Sequence, residues 1–354
     1  MHTRLSLCFL LLVALLAGPA SAADTCVVLQ YHHVAEDTPA STSIGPTDFE
    51  RHLELIEELG MQVMPLRRVI SALYNRQPLP ERCVALTFDD AYASVYRNAW
   101  PLLRRRGWPF TLFVPTEAVD LGLFPYMSWG QLRELAAAGV GIESHGHRHS
   151  HLIRRRDGES PAAWRERVRR DIEQARQRIA SETGQAPMLF AWPYGEYLPE
   201  LSGILQASGL TGFGQQSGPL SARLGWLAQP RFPVSGAHAD LERLRIKLLS
   251  RPLPLVRADP ASPLPPVGEF RPALTLELEP SAGSDHRLNC FVDGSPNVTM
   301  DWSDDSRVVI RPNFDLPPGR HRSNCTLPAG QPGIFHWYSH PWFIRKADGS
   351  WYAE

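Results

Sequence analysis

Five short apolar runs punctuate the chain over residues 27–31, 84–88, 110–114, 140–143 and 188–191. Each is nearly continuous, as strands buried on both faces of a parallel sheet are. Between them, apolar residues recur at helical spacing. Phe49, Leu53, Ile56 and Leu59 precede Gly60, and Trp164, Val168, Ile172, Ala175 and Ile179 precede Gly184. Residues 96–106 and 129–138 read the same way, closed by Gly107 and Gly139. These patterns predict amphipathic helices with glycine just past the last turn. Ser160-Pro161 supplies the N-cap and first helical residue of the longest one. The arginine-rich opposite face of that helix reads as a solvated surface. Alternating strand and helix predicts an α/β fold, either a barrel or a doubly wound sheet.

The pattern changes near residue 250. Residues 251–272 carry seven prolines, which predicts a stiff extended linker. Beyond it, residues 273–279, 287–292, 308–311, 321–327 and 333–344 read as short strands without helical periodicity. A small β-sandwich over 273–354 is the expectation. Its Trp302, Phe335, Trp337, Tyr338, Trp342, Phe343, Trp351 and Tyr352 suit a sandwich core, although aromatic faces also stack on sugar rings.

At the other end, Arg4 precedes an apolar run over residues 5–16, and Ala20-Ser21-Ala22 forms a small-x-small site. A run this short does not span a bilayer of ~30 Å as a helix. Residues 1–22 are expected to be a signal peptide, leaving an α/β domain over 23–250. No later stretch approaches 18 apolar residues, so a mature chain without a membrane span is expected, in the periplasm or beyond the cell.

Cleavage would remove Cys8 and leave Cys26, Cys83, Cys290 and Cys325. In an oxidising compartment four cysteines predict two disulfides. Of the three pairings, Cys26–Cys83 and Cys290–Cys325 are favoured because each stays within one domain. No C-x-x-C spacing supports a zinc cluster. The mature chain carries 35 basic against 37 acidic residues, which argues against nucleic acid or an anionic membrane surface as partner.

Three groups of chemistry-bearing residues follow predicted strands. Asp89-Asp90 ends the run over 84–88. Neighbours in an extended segment point to opposite sides, so one carboxylate could bind a metal while the other faces water; capping of the next helix is the plainer alternative. Residues 144–151 place His145, His147, His149 and His151 after another strand. Neutral imidazole is the commonest protein ligand for zinc, though a histidine-rich surface loop is also possible. Pro193-Tyr194-Gly195 forms a fixed turn able to aim the Tyr194 N–H at a substrate oxygen, or merely to plug the core.

Taken in order, Thr87-Phe88-Asp89-Asp90, Ser144-His145-x-x-x-His149 and Pro193-Tyr194-Gly195 resemble the motifs of the NodB-type polysaccharide deacetylases, carbohydrate esterase family 4. Tyr31-His32-His33-Val34 is similar to the subgroup of bacterial poly-N-acetylglucosamine deacetylases. The resemblance covers roughly residues 26–250. It implies a distorted (β/α) barrel with fewer than eight strands, one divalent ion, usually zinc with cobalt or nickel as alternatives, and an acetylated polysaccharide as substrate.

By position, the resemblance implies Asp90, His145 and His149 as metal ligands, Asp89 as general base and the Tyr194 N–H as oxyanion donor. Three protein ligands leave a zinc ion one open position for water. The chain departs from the family at Ala91, where glycine is common, and at Phe190-Ala191-Trp192, where an arginine often stands. Arg231 is the candidate to replace that arginine. The family's late Leu-x-His general acid is absent, and His33 or its neighbour His32 could substitute. Hydrolysis of N-acetyl groups is therefore expected. A glycan-binding protein without turnover and an O-acetyl esterase are the alternatives.

Overall fold

The computed structural model describes residues 22–280 and 287–353. All but the last residue of the expected leader lies outside the described residues, as does Cys8. Among the described residues no helix is long and apolar enough to cross a membrane.

Seven parallel strands form the continuous path of the first domain's sheet, β1 Val27–Tyr31, β2 Cys83–Asp89, β3 Thr111–Val114, β4 Gly141–Ser144, β5 Leu189–Ala191, β6 Thr211–Phe213 and β7 Phe232–Pro233, and the two-residue strand Gln62–Val63 pairs beside β2 as an eighth. Their order is β6-β5-β4-β3-β2-β1-β7. Every residue of β1 and β2 is buried, which explains their unbroken apolar runs. The ends of the sheet meet. Gln229 exchanges backbone hydrogen bonds with Gly212 and Gly214 beside β6, and β7 pairs with β1, so the segment between them closes the barrel.

Helices α1 Pro46–Glu58, α2 Leu66–Tyr74, α3 Trp100–Arg106, α4 Trp129–Ala137, α5 Pro161–Thr183 and α6 Leu241–Leu248 surround the strands. Helix α5 begins where expected, with Ser160 Oγ accepting from the Ala163 N–H at 3.2 Å, and ends at Gly184 with φ 72°. The parallel register keeps the carboxyl ends of the strands level. In register, Tyr31 lies beside Phe88, Asp89 beside Phe113 and Val114 beside Ser144. The residues just past those ends therefore share one face.

The second domain is a β-sandwich. Its strands are β8 Arg251–Pro252, β9 Leu255–Asp259, β10 Leu274–Leu278, β11 Asn289–Val292, β12 Val298–Trp302, β13 Arg307–Pro312, β14 Gly319–Pro328 and β15 Phe335–Ile344. They form two sheets, β8-β15-β14-β11 and β9-β10-β13-β12. The proline-rich stretch expected as a free linker is partly built into both sheets through β8 and β9. Pro252 fits in β8 because that strand lies at a sheet edge, where a missing N–H costs no ladder bond.

Both favoured disulfides are present, Cys26–Cys83 at the start of β1 and β2 and Cys290–Cys325 across β11 and β14. The aromatic residues divide. Trp302, Tyr338 and Trp342 pack in the sandwich core. Phe343 instead packs with Trp192 and Tyr197 of the barrel, and Trp337 meets Phe232 edge-on at 5.3 Å.

Candidate active site

Asp89 ends β2 fully buried, and Arg231 holds it in a two-pronged grip. Arg231 Nη1 donates to Oδ1 at 2.6 Å and Nη2 to Oδ2 at 2.8 Å. Arg231 is itself buried at 0% exposure and fixed through Nε to the Gly214 carbonyl at 3.1 Å. Gln30, the one polar residue in β1, donates to Asp89 Oδ2 at 2.7 Å. Burial alone would push the Asp89 carboxyl up, but the Arg231 charge, with help from His145, holds it below the usual carboxylate range.

The chain then turns through left-handed conformations at Asp90 (φ 69°) and Ala91 (φ 54°). This explains why glycine suits the position of Ala91: it meets a positive φ without steric cost. The turn brings Asp90 Oδ1 to 3.4 Å from His145 Nε2 and 3.2 Å from His149 Nε2. His145 Nδ1 donates to the Ala191 carbonyl at 2.8 Å, an atom that can only accept. In a neutral ring Nε2 then presents a lone pair toward a carboxylate oxygen that is buried without a hydrogen-bond partner. Lone pairs gathered this closely suit a cation between them, and the three candidate ligand atoms lie within 4.8 Å of one another. Two nitrogens and one carboxylate oxygen match zinc chemistry.

The histidine loop is braced from α5. Asp171 accepts from the His147 N–H at 2.9 Å and the Arg148 N–H at 3.2 Å. Gly146 (φ 78°) permits this approach, since a Cβ there would lie 2.8 Å from Asp171 Oδ1. His147 serves the brace too, with Nδ1 2.8 Å from Thr116 Oγ1 and Nε2 2.8 Å from Gln174 Nε2.

Tyr194 (φ 60°) stands at the apex of the third turn, its ring centroid 4.7 Å from that of His149 and stacked at 3.9 Å on His151. Glu196, buried below it, accepts from His151, Arg154 and Tyr352 at 2.8, 3.0 and 2.6 Å. Tyr352 and Arg320 come from the far end of the chain, and the Arg320 guanidinium lies 5.4 Å above the Tyr194 ring. The sandwich thus reaches the rim of the site.

Residues 76–213, which contain all three motifs, match the sequence profile of the polysaccharide deacetylases. Over those residues the barrel domain is similar to this family. A putative polysaccharide deacetylase of Bacillus subtilis, YxkH, is 25% identical over 186 residues, covering 52% of this chain and 61% of that protein. The poly-beta-1,6-N-acetyl-D-glucosamine N-deacetylase of Escherichia coli is 26% identical over 208 residues, 48% of this chain and 30% of that enzyme. The chain thus spans less than two thirds of either relative. The deacetylase domain of BpsB from Bordetella bronchiseptica matches with 27% identity and TM-score 0.52, over 61% of this chain and 98% of that one. The Streptococcus pyogenes deacetylase PplD shares the fold at 21% identity and TM-score 0.57, over 63% of this chain and 98% of that one.

Within the barrel, Asp89, Asp90, His145, His149, Tyr194 and Arg231 converge on one face. His33 does not join them. It stacks on Tyr92 with centroids 3.6 Å apart, because the alternation past β1 turns it away. His32 takes the inward side, with Nε2 4.0 Å from Asp89 Oδ2. Of the other two loop histidines, His147 is a brace and His151 a platform for Tyr194. Sequence reasoning also passed over Gln30, Asp171 and Glu196. A glutamine inside an apolar strand was a usable signal for Gln30; nothing local marks the other two.

Proposed function

We propose that the protein is an exported, metal-dependent deacetylase that hydrolyses N-acetyl groups of N-acetylglucosamine-containing polysaccharide. The observation that carries this reading is the pairing of an arginine-held buried carboxylate, Asp89, with the adjacent cluster of Asp90, His145 and His149. Export is supported by the leader read over residues 1–22 and by the two disulfides. The amide substrate is supported by the name of the Escherichia coli relative.

In this reading Asp90, His145 and His149 hold one divalent ion, zinc by donor type, with cobalt or nickel able to replace it. Such an ion supplies Lewis acidity, which lowers the pKa of water at its open position to about 7 and polarises a carbonyl. Arg231 and Gln30 keep Asp89 ionised and aimed, so that it takes the proton of the attacking water. The Tyr194 turn directs a backbone N–H at the developing oxyanion, a donor worth about 3–4 kcal/mol. His32 is the group placed to return a proton to the departing amine. Arg231 also answers the main motive for a binding-only protein, because it supplies from just before β7 the support that the third motif lacks.

The test is acetate release from N-acetylglucosamine oligomers, with zinc or chelator, by the mature chain and by Asp89→Asn. We expect metal-dependent release and a loss of at least about 10²-fold in the variant. A folded protein that retains its ion yet releases no acetate would sink the reading. Release confined to O-acetylated substrates would instead identify an esterase.

A further inference from the structure

Strand β14 points alternate residues at the barrel. Arg320 lies over Tyr194, and two strand steps on, about 6.6 Å away, Arg322 Nη1 donates to the Gln215 carbonyl at 2.8 Å. Gln215 in turn abuts the catalytic turn, since a Cβ on Gly195 would lie 2.7 Å from Gln215 Cβ. Beyond Arg322 opens a cavity of about 630 Å³ walled by both domains, with Lys247 and Arg243 from α6 and Trp337 from β15 among its lining residues.

The protein balances the charges of this cavity only in part, through Asp293 near Arg322 and Asp240 near Lys247. Lys247 is buried and donates to the carbonyls of Pro233 at 2.9 Å and His238 at 3.3 Å. Arg243 donates to the Ala237 carbonyl at 3.3 Å. Among the described residues, every acceptor found for these three cations is a neutral backbone carbonyl. The one carboxylate in the wall, Asp293, is engaged by the His321 ring and by the Arg322 backbone N–H at 3.0 Å. Burial and the nearby Arg322 and Arg243 lower the Lys247 ammonium to about 8, so it remains charged at neutral pH. A buried cation such as Lys247, held only by neutral carbonyls, costs stability that an apolar residue would not. A ligand that supplies the missing negative charge offsets that cost, and the Trp337 ring beside it offers a face for a sugar.

We propose that this interdomain cavity is a glycan subsite for an anionic substituent, a carboxylate or phosphate, on a sugar of the chain whose neighbour occupies the catalytic face. The inference deepens the deacetylase reading and rests on it.

The test is equilibrium binding at low salt to the Asp89→Asn protein, whose turnover is slowed by at least about 10²-fold. The probes are a hyaluronan hexasaccharide, in which N-acetylglucosamine alternates with glucuronate, and the neutral chitin hexasaccharide. The hyaluronan oligomer should bind about tenfold tighter. Arg322→Gln and Arg243→Gln, each checked for unaltered thermal unfolding, should abolish that preference, and Arg243→Gln should change chitin binding less than about twofold. Arg243 is exposed, so its variant remains informative if Arg322→Gln folds poorly. Equal affinity for the two oligomers, or a preference that survives Arg243→Gln, would overturn the proposal. So would inorganic phosphate binding as tightly as the oligosaccharide, since that marks a small-anion site. Acetate release by the unmutated enzyme, followed in parallel on the neutral oligomer, judges the deacetylase reading separately from the subsite.

Discussion

At the level of single residues, the site depends on groups that only make sense in pairs. Arg231 and Asp89 share two parallel hydrogen bonds with both partners fully buried. Lysine cannot reproduce that fork, so Arg231→Lys should lower kcat/KM by about 10–100-fold, with KM changing little, in acetate-release kinetics. Arg231→Gln leaves the carboxylate unpaired and should cost about 3–5 kcal/mol in urea unfolding. Gly146 works by what it lacks. Gly146→Ala drives a Cβ into Asp171 at a positive φ, so it should destabilise the fold by about 2 kcal/mol. The displaced loop should also weaken zinc binding, measured by competition with a chelating dye; unchanged zinc affinity would show that the brace does not position the histidines.

At the level of elements, β14 is the strand that joins sandwich to site. Cys325, opposite Cys290 in register, ties it to β11 and closes a loop of 35 residues. Chain-entropy reasoning puts the worth of such a crosslink at roughly 4 kcal/mol. The Cys290→Ser/Cys325→Ser protein should therefore melt at a lower temperature by calorimetry, with the loss in the sandwich transition. Several elements were legible in advance. The helices near residues 46–58, 129–137 and 161–183 follow their apolar spacing closely. Helix α2 was missed although Leu66, Val69, Ile70 and Leu73 stand at helical spacing. Strands β6 and β7, of three and two residues, are too short to carry any period.

Over the whole molecule, Glu196 links the two domains, binding His151 and Arg154 of the barrel and Tyr352 of the tail. Burial would raise its carboxyl, but the hydrogen bonds from His151 and Arg154 outweigh it and bring the group below the ordinary glutamate value. A carboxyl depressed in the folded state is protonated more readily once unfolded. It therefore adds stability above the unfolded pKa of about 4.3, and that stability is lost as pH falls through this value and on to the folded one. Glu196→Gln should be destabilised at pH 7 by about 2–3 kcal/mol and show a flatter decline below pH ~4.3. Parallel stability–pH curves for the two proteins would refute this account.

The sequence alone determined the local and ordered features: buried parallel strands, glycine-ended helices, both disulfide pairings, and motifs whose side chains lie within a few residues of a strand end. Proximity along the chain sufficed for Asp89 and Asp90, and for His145 and His149. The tertiary structure decided what depends on closure and contact. Arg231 reaches Asp89 across 142 residues because the segment before β7 closes the barrel beside β1. His32 rather than His33 faces the carboxylate because of strand phase, which a two-histidine pair does not reveal. The sandwich lines the site through Arg320 and Tyr352 because two apolar surfaces, around Phe343 and Trp337, must leave water together. Such burial is non-directional, so no local pattern in the chain encodes which side chains it carries to the rim.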